Sequence, residues 1–209
     1  MDKIFNFDKY VTSINEAKKE KDADKTYSYG CAMLYFDFPK MDELHKSIDE
    51  DDIYSEDGHG LETEPHCTLL YGLHDTEIEN DDDVFDAILK HIKSDMKITL
   101  YNASLFENEY DVLKLDVKET ILDKDGKEDY SEKEDSLFKA NKELTDNFPF
   151  TTDYPDYHPH ATIGYLNKGT GKKYVKEFKG NEYDITPSKI IYSKSDGTKV
   201  ERKISKEDK

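Results

Sequence analysis

Two short stretches of the chain carry the same chemical pattern. Residues 65–73 read PHCTLLYGL and residues 158–166 read HPHATIGYL. Each stretch has Pro, His, one small residue and Thr, followed by an apolar run with Gly beside Tyr. Because side chains alternate across a strand, the His and the Thr of each stretch share one face. Two imidazoles and two hydroxyls can therefore meet wherever the two strands meet.

This set of side chains suits the cleavage of a phosphodiester by an attacking oxygen. The reaction needs one proton removed from the nucleophile and one delivered to the leaving group. Two histidines, one neutral and one protonated, do both without a metal. The unperturbed imidazole pKa near ~6.5 suits both tasks around neutral pH. Threonine hydroxyls can donate to the non-bridging oxygens of the phosphate.

PHCTLLYGL and PHATIGYL resemble the two His-x-Thr-hydrophobic signatures of the 2H phosphoesterases. That superfamily includes 2′,5′ RNA ligases, cyclic nucleotide phosphodiesterases and phage anti-defence enzymes that destroy cyclic-oligonucleotide immune signals. The resemblance implies that His66 and His160 are the acid/base pair and that Thr68 and Thr162 contact the phosphate. It leaves open which histidine is the acid and which the base.

The resemblance covers roughly residues 28–195 and also implies a fold. That fold is bilobal and α+β, with two antiparallel sheets facing a central cleft and helices packed outside. It also implies metal-independent chemistry without a cofactor. The sequence agrees, since it contains no phosphate-binding loop, no dinucleotide fingerprint and no Cys/His spacing typical of a metal site.

Hydrophobic periodicity predicts the elements that position the two motifs. Strands are predicted over 29–39, 61–73, 97–109, 110–119 and 158–166, helices over 3–21, 41–54, 80–93, 131–148 and 172–178, and a final hairpin closed on Asp196-Gly197. The later strand pairs favour antiparallel pairing, hence α+β rather than a doubly wound sheet. We predict an N-terminal helical extension, 1–27, and a single bilobal domain, 28–209.

The overall charge limits the partners. The chain has 209 residues and a formal net charge of −18. Such a field repels polyanions and offers no broad basic surface to long nucleic acid. We therefore expect a small nucleotide partner: a cyclic mono-, di- or trinucleotide. Arg202 is the only arginine, so a guanidinium fork on phosphate requires Arg202 to reach the site.

Two further features bear on the cellular context. No stretch approaches the roughly 20 apolar residues of a membrane span, and the N-terminus lacks the apolar region of a signal peptide. We expect a cytoplasmic protein without a membrane partner. Cys31 and Cys67 each lie in an apolar run, which predicts two buried, unpaired thiols.

Residues around the motifs are candidates for holding the substrate. They are Tyr71, Tyr154, Tyr157, His158, Tyr165 and Lys168. On strict alternation Tyr71 and Tyr165 point away from the histidines, although a bend at Gly72 or Gly164 would turn either ring toward a base. The others lie in the loop before the second motif or just after it, where loops often contact ligand.

The sequence thus predicts a metal-independent phosphodiesterase acting on a small cyclic nucleotide or cyclic oligonucleotide, with a phage enzyme that degrades immune signals among the implied roles. Two alternatives stay open. One is an enzyme that processes RNA ends carrying 2′,3′-cyclic phosphate or 2′-5′ linkages, which needs a basic groove. The other is a protein that sequesters a nucleotide without cleaving it, which needs no acid/base pair. The sequence does not indicate an oligomeric state.

Overall fold

The computed structural model describes residues 29–154 and 156–205. The helix predicted over 3–21 lies outside the described residues. In chain order the elements are β1 (Tyr29–Phe36), α1 (Met41–Lys46), β2 (His66–His74), α2 (Asp81–Leu89), β3 (Ile98–Glu107), β4 (Asp111–Glu119), α3 (Ser136–Asn147), β5 (His160–Leu166), α4 (Gly171–Glu177), β6 (Tyr183–Ile185), β7 (Pro187–Ser193) and β8 (Lys199–Lys203). Short 3-10 turns occur at Glu50–Asp52, Glu56–Gly58 and Asp75–Glu77.

The strands form two antiparallel sheets of four. The first sheet has the order β2-β1-β7-β8, and the second has the order β5-β4-β3-β6. The predicted α+β class with two antiparallel sheets is confirmed. Each motif occupies an edge strand, β2 in the first sheet and β5 in the second. These two edge strands contact each other, so the sheets meet along the two motifs.

The helices cover the sheet faces opposite the motif side chains. Helices α2 and α3 contact the first sheet, while α1 and α4 contact the second. One buried cluster includes side chains from both sheets and from all four helices. Helix α1 follows β1 yet packs on β5, and α3 follows β4 yet packs on β2. Each motif strand therefore packs against a helix that follows a strand of the other sheet in the chain.

Several boundaries differ from the sequence predictions, for local reasons. The helix predicted over 131–148 begins only at Ser136, because the Asp135 carboxylate accepts a hydrogen bond from the Leu137 N–H as its N-cap. The helix predicted over 41–54 ends at Lys46. Strand β6 was not predicted, since it has only three residues and no visible alternation. The hairpin on Asp196-Gly197 is confirmed, with Gly197 at φ 87°.

Other expectations also have clear outcomes. Cys31 and Cys67 are buried and unpaired, as predicted, and burial raises the pKa of each thiol to about 12. Arg202 pairs with Asp82 and Asp86 on α2, so its guanidinium is engaged on the helix surface rather than at the motifs. None of the described helices is long and apolar enough to cross a membrane.

Candidate active site

The two motif histidines are held in the same way. His66 Nδ1 lies 2.7 Å from the Glu64 carbonyl oxygen, and His160 Nδ1 lies 2.7 Å from the His158 carbonyl oxygen. Since a carbonyl oxygen only accepts, each Nδ1 carries a proton and donates it two residues back along the chain. Nε2 is therefore the basic nitrogen of each neutral ring, which fixes the tautomer that acid/base chemistry at Nε2 requires.

Strand register places further side chains beside each motif. We call the sheet face that carries the His and Thr of a motif its motif face. In the second sheet, His160 is opposite Asp116, and Thr162 is opposite Lys114. Directly opposed residues of neighbouring strands point to the same side. The motif face of the second sheet therefore bears an acidic and a basic residue next to His160 and Thr162.

The motif face of the first sheet has a different character. His66 is opposite Tyr35, and the two rings stack with centroids 5.1 Å apart. Thr68 is opposite Met33, which is followed across the sheet by Ile191. The first sheet thus places an aromatic ring and apolar side chains directly opposite its motif, with Lys189 beyond Tyr35, whereas the second places charged residues directly opposite His160 and Thr162.

Each motif strand has a bulge at the residue directly after its threonine. In β2, Thr68 pairs with Met33 and Leu70 with Ala32, so Leu69 is the extra residue. In β5, Thr162 pairs with Lys114 and Gly164 with Leu113, so Ile163 is the extra residue. A bulge of one residue inverts the alternation beyond it.

The bulges correct the expected direction of the two motif tyrosines. Tyr71 pairs with Cys31 and packs with Met33 on the motif face of the first sheet. Tyr165 pairs with Val112 and joins a small cluster on the motif face of the second. The prediction from strict alternation was wrong for both rings, because one inserted residue shifts the parity. The irregularities that turn the two rings lie at Leu69 and Ile163, and a second irregularity of β2 lies beyond Tyr71, at Gly72.

The carbonyl released by each bulge is bonded by a helix side chain. Asn141 Nδ2 on α3 donates to the Leu69 oxygen at 2.7 Å. His45 Nε2 on α1 donates to the Ile163 oxygen at 3.0 Å. Burial lowers the pKa of His45, so its neutral ring serves as the donor. Neither residue matched a predicted motif, although Asn141 falls on the inner face of its predicted helix.

The loop before each motif pairs with the strand of the other motif. Residues before β5 bond to β2, where the Thr151 N–H donates to the Gly72 oxygen. Residues before β2 bond to β5, where the Glu62 N–H donates to the Ile163 oxygen. This reciprocal pairing joins the two sheets. Together with the matching bulges, it gives the two motif strands equivalent surroundings.

Burial and charge both disfavour protonation of His160. Packing is the largest cause that lowers its pKa, to about 4, and the positive charges of Lys114 and His66 act in the same direction. The hydrogen bond to the His158 carbonyl opposes them, and Asp116 does so only weakly, because its carboxylate is itself engaged with Lys114 Nζ at 2.6 Å. His160 is therefore set up as a neutral ring. The Phe106 ring lies edge-on to it, with centroids 4.9 Å apart.

A buried carboxylate lies beside His66. Glu62 is only 3% exposed, and its Oε2 is 3.9 Å from His66 Nδ1. Its other oxygen, Oε1, accepts the Glu64 N–H at 2.8 Å. Burial raises the pKa of Glu62, and the proximity of His66 opposes that rise. Sequence reasoning missed Glu62 because its loop carries many acidic residues and burial is not visible from their spacing.

The other candidate substrate residues lie in different surroundings. Tyr157 packs on the core side, against Phe138, and its hydroxyl donates to the Thr68 oxygen at 3.2 Å. Its ring is therefore a support for β2 rather than part of the motif face. His158 is exposed and contributes its carbonyl to His160, Tyr154 is 73% exposed, and Lys168 lies in the exposed turn after β5.

An aromatic cluster near the second motif was not predicted. His59 is buried between Tyr54, Tyr110 and Tyr165. Its Nδ1 donates to the Glu56 oxygen, so Nε2 accepts the Tyr110 hydroxyl at 3.0 Å. The cluster fixes the loop that leads to the first motif against the strand of the second motif.

The described residues form no metal site, and a cavity lies away from the motifs. No group of three His, Cys, Asp or Glu side chains in residues 29–154 and 156–205 is arranged to hold a metal ion. A cavity of about 490 Å³ lies between the start of α1 and β6, lined by Phe38, Lys40 and Tyr183 among others. None of the four motif residues lines it.

Comparisons with known proteins show a likeness to solved structures but none in sequence. No protein-family model matches the sequence, and no curated protein matches it. Usb1 of Kluyveromyces marxianus is similar in structure, with a TM-score of 0.45 at 8% sequence identity. The similar region covers 84% of this chain and 97% of that chain.

Proposed function

We propose that this chain is a phosphodiesterase that cleaves a small cyclic nucleotide or cyclic oligonucleotide with His66 and His160 as its acid/base pair. One observation carries the proposal. Two edge strands that contact each other present the same His-x-Thr set, and both imidazoles are fixed in the same tautomer by a carbonyl two residues back. Two unrelated strand ends would not be expected to share both the His-x-Thr set and this hydrogen bond.

The proposed reaction is an in-line displacement at phosphorus. One histidine takes the proton of the attacking hydroxyl through Nε2 as the new P–O bond forms. The bond to the leaving oxygen breaks, its electron pair stays on that oxygen, and the other histidine delivers a proton there. Thr68 and Thr162 donate to the non-bridging oxygens, which hold the charge of the transition state. Proton exchange with solvent then returns each histidine to its starting protonation state.

The surroundings of the histidines support a ligand with nucleobases. Tyr35 stacks on His66, Phe106 lies edge-on to His160, and the bulge turns Tyr71 to the same face as His66. Tyr35 is only 4% exposed and supports His66, so Tyr71 and Phe106, which are both partly exposed, are the rings that can stack bases. The net charge of −18 favours a small nucleotide over a long strand.

Turnover of a substrate panel in EDTA tests the proposal. The panel contains 2′,3′-cyclic mononucleotides, cyclic di- and trinucleotides, and short RNA, each incubated with wild type, His66→Ala and His160→Ala. His91→Ala, on the partly exposed ring beside Glu143, is the control for loss of a histidine away from the motifs. We expect cleavage of a cyclic substrate by wild type and the control, and its loss in both motif variants.

Other outcomes would redirect the interpretation. Cleavage that survives both motif substitutions would contradict the two-histidine mechanism. Cleavage of RNA ends alone would favour the end-processing alternative. A nucleotide that binds and is recovered intact after long incubation would favour sequestration.

A further inference from the structure

The two motifs share their geometry, but the charged side chains beside the two histidines differ. The His66 side has a buried carboxylate, Glu62, on the loop before β2. The His160 side has a buried ammonium, Lys114, on β4. This difference distinguishes two rings that the repeated sequence presents as equivalent.

Glu62 is placed to stabilise a positive charge on His66. Its Oε2 is buried, has no hydrogen-bond partner among the described residues, and lies 3.9 Å from His66 Nδ1. A buried carboxylate oxygen without a partner is costly unless a positive charge lies nearby. Among the described residues, other titratable groups near His66 include Tyr35, stacked on its ring, Lys189 beyond that tyrosine, and His160.

Lys114 acts in the opposite sense on His160. It is only 6% exposed, stands opposite Thr162, and bonds Asp116 Oδ1 at 2.6 Å and Ser104 Oγ at 2.8 Å. Asp116 stands opposite His160 and would by itself favour an imidazolium. The bond to Lys114 compensates that carboxylate, and the ammonium adds a positive charge near the ring. Of the described neighbours on β2, His66 also disfavours a second positive charge.

We propose that Glu62 and Lys114 are positioning residues that make His66 the proton donor and His160 the proton acceptor in the cleavage reaction. This assignment rests on the proposed function. His160 Nε2 removes the proton from the attacking hydroxyl, and His66 Nε2 protonates the leaving oxygen. Neither Glu62 nor Lys114 needs to touch the substrate, since each acts through the histidine beside it.

The pH dependence of kcat/KM separates the two roles. The acidic limb of the profile reports deprotonation of the base, and the basic limb reports loss of the proton from the acid. We expect Glu62→Gln to move the basic limb to lower pH by about one pH unit. Lys114→Met leaves Asp116 facing His160 without compensation, so we expect the acidic limb to move to higher pH by about one pH unit.

Matched variants control for indirect effects. Asp146→Asn removes a half-exposed carboxylate on α3 that pairs with Lys142 and should leave both limbs in place. The pair Lys114→Met with Asp116→Asn removes both charges and should return the acidic limb toward wild type. That double variant also keeps the test usable if Lys114→Met alone fails to fold. Movement of the same limb by Glu62→Gln and Lys114→Met would overturn the assignment.

An NMR titration of the imidazole C2–H resonances tests the charges without any substrate. Because the two rings interact, a rate profile reports the pair, whereas NMR follows each ring. We expect His66 to hold its proton to higher pH than His160 in wild type, with the gap narrowed in Glu62→Gln. The reverse order would overturn the assignment even in an active enzyme. If His66 holds its proton to higher pH than His160 but the protein cleaves none of the substrates, the charge assignment stands and the proposed function is wrong.

Discussion

Leu69 and Ile163 occupy equivalent positions in two different sheets. Each is the extra residue of a bulge, each directly follows the threonine of its motif, and each offers its carbonyl oxygen to a side chain from a helix. The bulge inverts the alternation of the strand beyond it. As a result, one strand can present His, Thr and, three residues later, Tyr on the same face.

The Asn141 amide should be important for stability, because it bonds the carbonyl that the first bulge releases. We expect Asn141→Ala to lower the free energy of unfolding by about 1–3 kcal/mol, the cost of leaving a buried acceptor unsatisfied. Urea denaturation measures this change. Asn147→Ala removes an exposed amide that bonds within the same helix and should cost clearly less. Equal losses in the two variants would show that the bulge carbonyl does not depend on Asn141.

The stability of the fold should decrease as the pH falls below neutrality. Burial lowers the pKa of both His45 and His160 in the folded chain. Below the unfolded-state value near ~6.5, the unfolded chain binds protons that the folded chain does not, so each ring destabilises the fold as the pH falls toward its lowered pKa. The slope is at most about 1.4 kcal/mol per pH unit for each histidine.

The variant His45→Gln separates the contribution of His45 to the pH dependence of stability from the contributions of the carboxylates. Glutamine can still donate to the Ile163 oxygen but does not titrate. Burial raises the pKa of Glu62 and Asp135, which has the opposite effect on the pH dependence, but wild type and variant share these groups. Urea denaturation between pH 7 and pH 5 should therefore show a shallower loss of stability in His45→Gln. Parallel curves would exclude a contribution from His45.

The sequence was sufficient for the class of the fold and for the motif strands, for a physical reason. Period-two alternation and the repeated His-x-Thr pattern are local, and local patterns are visible in a sequence. The direction of Tyr71 and Tyr165 was not visible, because a bulge depends on how the neighbouring strand pairs. Glu62 and Lys114 were also missed, since the first is one acid among many and the second approaches Thr162 only through the register of β4 with β5.

The glycine at the end of the first motif should not accept a side chain. Gly72 has φ +101°, and a Cβ there would come within 1.8 Å of the Thr151 carbonyl oxygen. We expect Gly72→Ala to break the bonding between β2 and the loop before the second motif. Gly126→Ala is the matched control, since Gly126 also has a positive φ, of +76°, but open space around its Cβ.

Thermal denaturation should separate these two alanine variants. The control should lose about 1–2 kcal/mol from backbone strain alone, and Gly72→Ala should lose clearly more. Because the loop carries the carbonyl that holds His160, activity should also fall in Gly72→Ala. Equal melting temperatures would show that the loop can move away without cost, which would contradict the reciprocal pairing of loops and motifs.

The motif threonines should contribute to turnover more than to folding. Thr68→Val and Thr162→Val keep the branched shape that suits a strand but remove the hydroxyl. If the hydroxyls donate to the non-bridging oxygens of the transition state, each substitution should lower kcat by about 10²-fold. Thr76→Val, at an exposed position after β2, is the control and should leave kcat unchanged.

Urea denaturation of all three variants should give midpoints near that of wild type, because Thr68 and Thr162 are only half-buried. A large loss of stability with an unchanged kcat in the folded fraction would assign the threonines to the structure of the strands and remove them from the proposed mechanism.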